Sequence, residues 1–245
     1  DENDIPIGFR SILLDITDRK QKETTIIQAK KQAEKELEIA REIQSSFLVK
    51  DYPQPEGWEI ATHIRPARQV GGDFYDVFPI ATSKQIALIM ADVSDKGVGA
   101  AMYMAIFRSL FRAYSDQQYI MRWAGSPKES QEDSPTGIFR RDALLASGAP
   151  SLKNAIDLTN NYIATHHGNA NMFATVFFGL LDPVNGELLY INAGHESAFV
   201  ISGDSLEKRL EPTGPAVGML PNMDFRIETT TLALADSLLL YTDGI

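Results

Sequence analysis

Ala91-Asp92-Val93-Ser94-Asp95-Lys96-Gly97 follows a nearly unbroken apolar run, Ile86-Ala87-Leu88-Ile89-Met90-Ala91, and leads into Gly97-Val98-Gly99 and a helical pattern. The run is too short for a typical helix and is bounded by polar residues, so it reads as a strand covered on both faces. Beyond it, Ala100, Met104, Phe107, Phe111 and Tyr114 are spaced four, three, four and three, which marks one face of a helix. Asp92 is therefore an acid at the end of a buried strand, just before a glycine-containing turn. A carboxylate in that position is costly unless a donor or a cation satisfies it. Two readings stand at this point: Asp92 caps the next helix, or it belongs to a cation site.

Working outward, Pro53, Pro55 and Gly57 mark a boundary on the N-terminal side. Strand-like runs follow at Trp58–Arg65, Gln69–Ile80 and Gln85–Asp92, then the helix from Gly97 to about Tyr114. Residues 115–150 include Ser126-Pro127-Lys128-Glu129-Ser130-Gln131-Glu132-Asp133-Ser134-Pro135, polar and without period, and read as a long, mobile insertion. A second helix is expected over Ser151–His166, with Leu152, Ile156, Thr159 or Asn160, and Ile163 on one face. A hairpin follows, Met172–Leu181 and Glu187–Ala193, joined by Asp182-Pro183-Val184-Asn185-Gly186. Further strands are expected at Ser197–Ser202, Phe225–Thr231 and Ser237–Thr242. Hairpin-linked strands interrupted by two helices imply an α+β fold of antiparallel sheets with helices packed outside.

Upstream, residues 20–48 lack Gly and Pro, and Ile26, Ala29, Ala33, Leu37, Ala40, Ile43 and Phe47 recur at steps of three and four. This is one helix with a narrow, Ala-rich seam, suited either to packing on its own domain or, as the preferred reading, to weak pairing with a second copy in a parallel dimer stalk. Residues 1–18 are too few for a domain.

Composition narrows the function. The chain of 245 residues is 44% hydrophobic, enough for one sizeable core and an accessory segment. A net charge of −10 gives nucleic-acid binding no electrostatic support. The absence of cysteine excludes disulfides and thiolate metal sites, and agrees with a reducing, cytoplasmic setting. The four histidines have no zinc-type spacing, so any metal should be a hard one held by oxygen. No apolar run approaches the ~20 residues that span a bilayer.

Four short pieces, far apart in sequence, each place polar groups at a strand end or turn: Gly71-Gly72-Asp73-Phe74-Tyr75-Asp76, Asp92-Val93-Ser94-Asp95-Lys96-Gly97, Asn192-Ala193-Gly194-His195 and Tyr241-Thr242-Asp243-Gly244. With Ala40-Arg41-Glu42-Ile43-Gln44 and Met172-Phe173-Ala174-Thr175, their order and wording resemble the metal-dependent protein phosphatase family (the protein phosphatase 2C fold), in its bacterial SpoIIE/RsbU branch. The resemblance covers roughly residues 40–245 apart from the insertion. It implies two antiparallel sheets sandwiched between helices and a site for two divalent cations, Mn2+ or Mg2+, at one edge. Gly8-Phe9 and Asp15-Ile16-Thr17-Asp18-Arg19-Lys20-Gln21 similarly resemble the last strand and exit of a PAS sensor domain. The expected organisation is a PAS remnant at 1–18, a signalling helix at 19–52 and a phosphatase domain at 53–245.

By the same resemblance, Asp92 matches the acid that bridges both ions, and Val93 the position whose backbone carbonyl helps hold one. Asp73 matches a ligand on that side, and Asp243 a ligand of the other ion. Asp76, three along the strand from Asp73, should face the opposite way and be structural. Asp95 and Lys96 read as turn residues, and His195 as a loop-fixing hydrogen-bonding group rather than a proton donor. The implied reaction is hydrolysis of a phosphoserine or phosphothreonine on a regulatory protein, typically a STAS-type anti-sigma-factor antagonist, under control of an upstream sensor. The alternative is an inactive phosphatase-like dimeric module that only binds partners. A diguanylate cyclase reading of Gly71-Gly72-Asp73-Phe74 fails, because its signature needs Glu where Phe74 stands. The family pattern also continues past Thr-Asp-Gly to a later Asp ligand, so the resemblance implies a domain that runs on beyond Ile245 and a weak second-ion site in the 245 residues alone.

Overall fold

A computed structural model describes residues 14–49, 51–65, 69–81, 83–115 and 148–244. Most of the segment resembling a PAS exit and nearly all of the 115–150 insertion lie outside the described residues. The chain divides into two compact units, split between Ile39 and Ala40. The long helix α1 (Thr17–Phe47) begins in the first unit and ends in the second. Asp15 accepts a hydrogen bond from the Thr17 N–H at 2.9 Å, which satisfies one of the free donors at the start of α1.

The second unit has the expected fold class: two antiparallel sheets with helices packed outside. The first sheet has the order β1-β2-β3-β4-β7, formed by Phe74–Pro79, Ile86–Val93, Ala174–Leu181, Glu187–Ala193 and Glu228–Thr231. The second has the order β6-β5-β8, formed by Ser205–Leu210, Ala198–Ser202 and Asp236–Leu239. Every strand-to-strand ladder is antiparallel.

The pleat divides the residues of the first sheet between two cores. Ile89, Ala91, Phe178, Leu180, Leu189 and Ile191 meet α2 (Val98–Ser115) and α3 (Ala149–His166). Their neighbours Leu88, Met90, Phe177, Leu188 and Tyr190 meet Ala198 and Val200 of the second sheet. Ala100, Met104, Phe107 and Phe111, the residues at helical spacing in the sequence, are all fully buried under α2. Each Phe so buried contributes roughly 1.5–3 kcal/mol. On α3 both Thr159 and Asn160 turn inward; Asn160 accepts from Gly218 N–H at 2.8 Å and donates to the Leu220 carbonyl at 2.9 Å.

Several strand expectations are corrected. Trp58–Arg65 alternates in exposure as a strand would, yet joins no ladder. The backbone of Ile60 is bonded on both sides by the Gln54 amide, and the Trp58 indole donates to the Pro183 carbonyl. The expected strand Gln69–Ile80 starts only at Phe74, because Gly71 spends its backbone groups on the Gln44 side chain. The last two expected strands shorten to Glu228–Thr231 and Asp236–Leu239. Strand β6 had no expectation at all: its Ser205-Leu206-Glu207-Lys208-Arg209 is exposed, so it lacks the apolar alternation that announces a strand.

Candidate active site

Two consecutive registers build the site. Phe74 pairs with Ala91, so the next residues outward, Asp73 and Asp92, stand opposite each other at the end of the β1–β2 ladder. Asp92 in turn pairs with Thr175 of β3. By the two-residue pleat Asp92 shares the face of Leu88 and Met90, which looks toward the second sheet. From that sheet β8 ends at Leu239 and the chain runs on through Tyr241 and Thr242 to Asp243. The Thr242 hydroxyl donates to Asp73 Oδ2 at 3.4 Å. Asp73, Asp92 and Asp243, with Val93, line one pocket of about 330 Å3.

The acids are not independent. Burial pushes the Asp92 carboxyl up to about 7, helped by a hydrogen bond it donates to Asp73 and by the charges of Asp73 and Asp243; Lys96 acts the other way. A carboxyl that keeps its proton near neutrality beside two further carboxylates lacks a positive charge. Among the described residues no three acidic or histidine side chains converge on a single point that could hold one ion.

The Val93 carbonyl is set against the end of β1 by a constraint that the sequence does not announce. A Cβ on Gly72 would lie 2.5 Å from the Val93 carbonyl oxygen, so only glycine lets the β1 end approach it. Gly72→Ala is expected to cost about 1–3 kcal/mol and to displace that carbonyl. A thermal melt and a Mn2+ titration of the variant check this; unchanged values for both would remove the constraint. Downstream, the turn is pinned by Ser94, whose N–H donates to the Phe173 carbonyl at 2.8 Å while its hydroxyl accepts from Phe173 N–H at 3.0 Å. Asp95 sits at φ +74° and Gly97 at φ +88°, which swings Lys96 to the pocket wall.

Asp76 faces the other way, as its spacing from Asp73 requires. It is fully buried and takes two bonds of 2.6 Å from Arg112, and its Oδ2 lies 3.1 Å from Arg108 Nε. This ion pair fastens β1 to α2. His195 is also buried: Nδ1 lies 2.9 Å from the Thr175 hydroxyl, and its backbone N–H donates to Asn192 Oδ1 at 2.9 Å. Burial holds its pKa below the usual imidazole value, against the Tyr241 backbone and the Asp73 and Asp243 charges, which favour the cation. Neutral and sealed, it is a poor proton donor to a substrate.

Two residues escaped the sequence reading. Gln44 is the one buried side chain of α1 and grips Gly71 with both ends of its amide, donating to the carbonyl at 2.5 Å and accepting from the N–H at 3.2 Å. The motif containing it was visible, but no pattern distinguishes it from the other polar residues of a solvated helix. Lys96 supplies the single basic side chain among the described residues that line the pocket.

The sequence model of the family described as Stage II sporulation protein E (SpoIIE) matches residues 82–245, two thirds of the chain. The chain belongs to the SpoIIE family. Among its relatives is Protein IcfG of Synechocystis sp., 42% identical over 210 residues, covering 86% of this chain and 32% of that protein. The phosphoserine phosphatase RsbU of Bacillus subtilis is 26% identical over 229 residues, covering 92% of this chain and 57% of RsbU. The SpoIIE-family chain thus spans less than two thirds of the length of either relative. In fold it is similar to the SiaA-PP2C domain of Pseudomonas aeruginosa, with a TM-score of 0.54 at 16% identity, covering 86% of this chain and 71% of that one.

Proposed function

We propose that this SpoIIE-family chain carries the catalytic domain, over residues 53–245, of a metal-dependent protein serine/threonine phosphatase. The observation that carries the reading is the pocket that Asp73, Asp92 and Asp243 line together, in which burial and these neighbours push the Asp92 carboxyl up to about 7. The donors are all hard oxygens, which fits Mn2+ or Mg2+. Asp73, Asp92 and the Val93 carbonyl would hold one ion, and Asp92 with Asp243 the other. When bound, such a pair lowers the pKa of a water between the ions and offsets charge growing on the phosphoryl oxygens.

The chain's own residues do the rest. Asp92 would release its proton where a cation is held, and Asp73 is oriented by the Thr242 hydroxyl. Lys96, on the pocket wall and without an ion-pair partner among the described residues, would meet the phosphoryl group of an incoming substrate. Lys96→Ala is expected to raise KM for a phosphoserine peptide about tenfold, or ~1.4 kcal/mol, with little change in the Mn2+ requirement. Steady-state kinetics at saturating Mn2+ read this directly; an unchanged KM would return Lys96 to the role of a turn residue.

The substrate in this reading is a phosphorylated regulatory protein of STAS type in the bacterial cytoplasm. That the relative RsbU is a phosphoserine phosphatase supports the reaction class. No helix among the described residues is long and apolar enough to cross a membrane. Residues 19–52 would pair with a second copy, since Ile26 and Ile43 of the α1 seam are exposed, and would carry a signal from a sensor whose end lies at 1–18. The deciding experiment is phosphate release from a phosphoserine peptide with Mn2+ and with chelator. Release that requires the metal is expected; specific peptide binding with no release would favour the partner-binding module instead.

A further inference from the structure

The Thr175–His195 pair links β3 to the loop after β4 beside the acids, and it goes beyond the ligand set itself. Thr175 pairs with Asp92 across the β2–β3 ladder. Its hydroxyl meets Nδ1 of His195 at 2.9 Å. The ring is 4% exposed, and its backbone is fixed by Asn192, whose amide in turn donates to the carbonyls of Glu196 and Leu210. One edge of the imidazole is therefore anchored to the five-stranded sheet. At the other edge Nε2 is sealed from solvent and makes no well-aligned hydrogen bond. The backbone of Tyr241, two residues before Asp243, is near enough to the ring to favour its cation. A buried imidazole nitrogen left without a partner is costly, and a backbone carbonyl is the group that could relieve it.

We propose that His195 is a positioning residue that braces the Tyr241–Thr242–Asp243 segment against the first sheet, so that Asp243 meets Asp92 at the separation a divalent cation needs. The proposal rests on the metal-dependent reading above. A carbonyl can only accept, so Nε2 carries the proton and Nδ1 accepts from the Thr175 hydroxyl. One end of the relay then stands beside Asp92 on β2 and the other faces the chain after β8 that carries Asp243.

The test uses the full chain and three variants. Gln at position 195 can place an amide N–H where Nε2 stands, whereas Asn reaches only the Nδ1 site; Thr175→Val removes the donor at the far end. Calorimetric Mn2+ binding is expected to weaken about tenfold in His195→Asn, within the range that loss of an outer partner costs a metal site, and to recover to within about threefold in His195→Gln. Thr175→Val should fall between them. In the metal-free chain, the imidazole 15N spectrum should report the Nε2–H tautomer. Unchanged Mn2+ affinity in a folded His195→Asn, or an Nδ1–H tautomer, would overturn the proposal. So would a loss at saturating Mn2+ that is larger for a phosphoserine peptide than for p-nitrophenyl phosphate, since that marks proton donation to the leaving group. Should His195→Asn fail to fold, Thr175→Val decides: unchanged affinity there overturns the relay. If the unmodified chain binds no Mn2+, the phosphatase reading falls and this proposal with it.

Discussion

Replacing Asp92 by Asn should abolish phosphate release and at the same time stabilise the metal-free chain. The two effects have one cause. In the folded chain burial and the neighbouring Asp73 and Asp243 push this carboxyl up to about 7, whereas its ordinary value is 3.8. Between those values the folded state binds a proton that the unfolded state has released. Its contribution to stability is therefore complete below 3.8 and is lost as pH rises toward 7. Asp92 is only half-buried, so solvent screening reduces the full ~1.4 kcal/mol per unit to about 2 kcal/mol in all. Asn keeps the shape and removes the titration, so its melting temperature in chelator should exceed that of the unmodified chain at pH 8 and match it near pH 4. Turnover with saturating Mn2+ should drop at least about a thousandfold, because in the proposed reading Asp92 would be the shared ligand of both ions. Near-normal turnover, or a lower melting temperature at pH 8, would remove Asp92 from the centre of the site.

Asp76→Ala is expected to act in the opposite sense, destabilising the chain by about 3–5 kcal/mol. Asp76 is fully buried, and its two oxygens are shared between Arg112, which grips both at 2.6 Å, and Arg108. Arg112 is also held flat over the Phe78 ring, 4.5 Å from its centre. Burial and the charge of Arg112 already push the Arg108 pKa down, and Asp76 is what opposes them. Without the carboxylate two guanidinium groups face each other under α2 with nothing between them. Urea denaturation at pH 7 measures the effect as a lower midpoint. A shift below about 1 kcal/mol would mean that the arginines swing out to solvent and that the pair does not fasten β1 to α2. Two aspartates three residues apart in one stretch thus have opposite consequences: one sits in the pocket and the other is a buried clamp.

That opposition was legible before any coordinates. The period of the pleat separates Asp73 from Asp76 whatever the register, and the apolar run Ile86–Ala91 fixed a strand with an acid at its end. The helix faces at Ala100–Phe111 and Leu152–Ile163 and the hairpin through Asp182–Gly186 were equally plain, because burial on one face leaves a local rhythm in the sequence. The rhythm has limits. It marked Trp58–Arg65 as a strand although no partner pairs with it, and it missed β6, whose side chains are exposed.

Tertiary structure alone decided which acids meet. The Phe74–Ala91 register sets Asp73 against Asp92, and the second sheet delivers Thr242 to Asp73 across 169 residues of chain. Tertiary structure likewise chose Gln44 to hold Gly71, aimed Lys96 at the pocket, and gave Asp76 its two arginines. The physical reason is the same in each case. A pattern of burial is written along the chain and can be read there, whereas the pKa of Asp92 depends on charges brought close by pairing between distant strands, and nothing local encodes that distance.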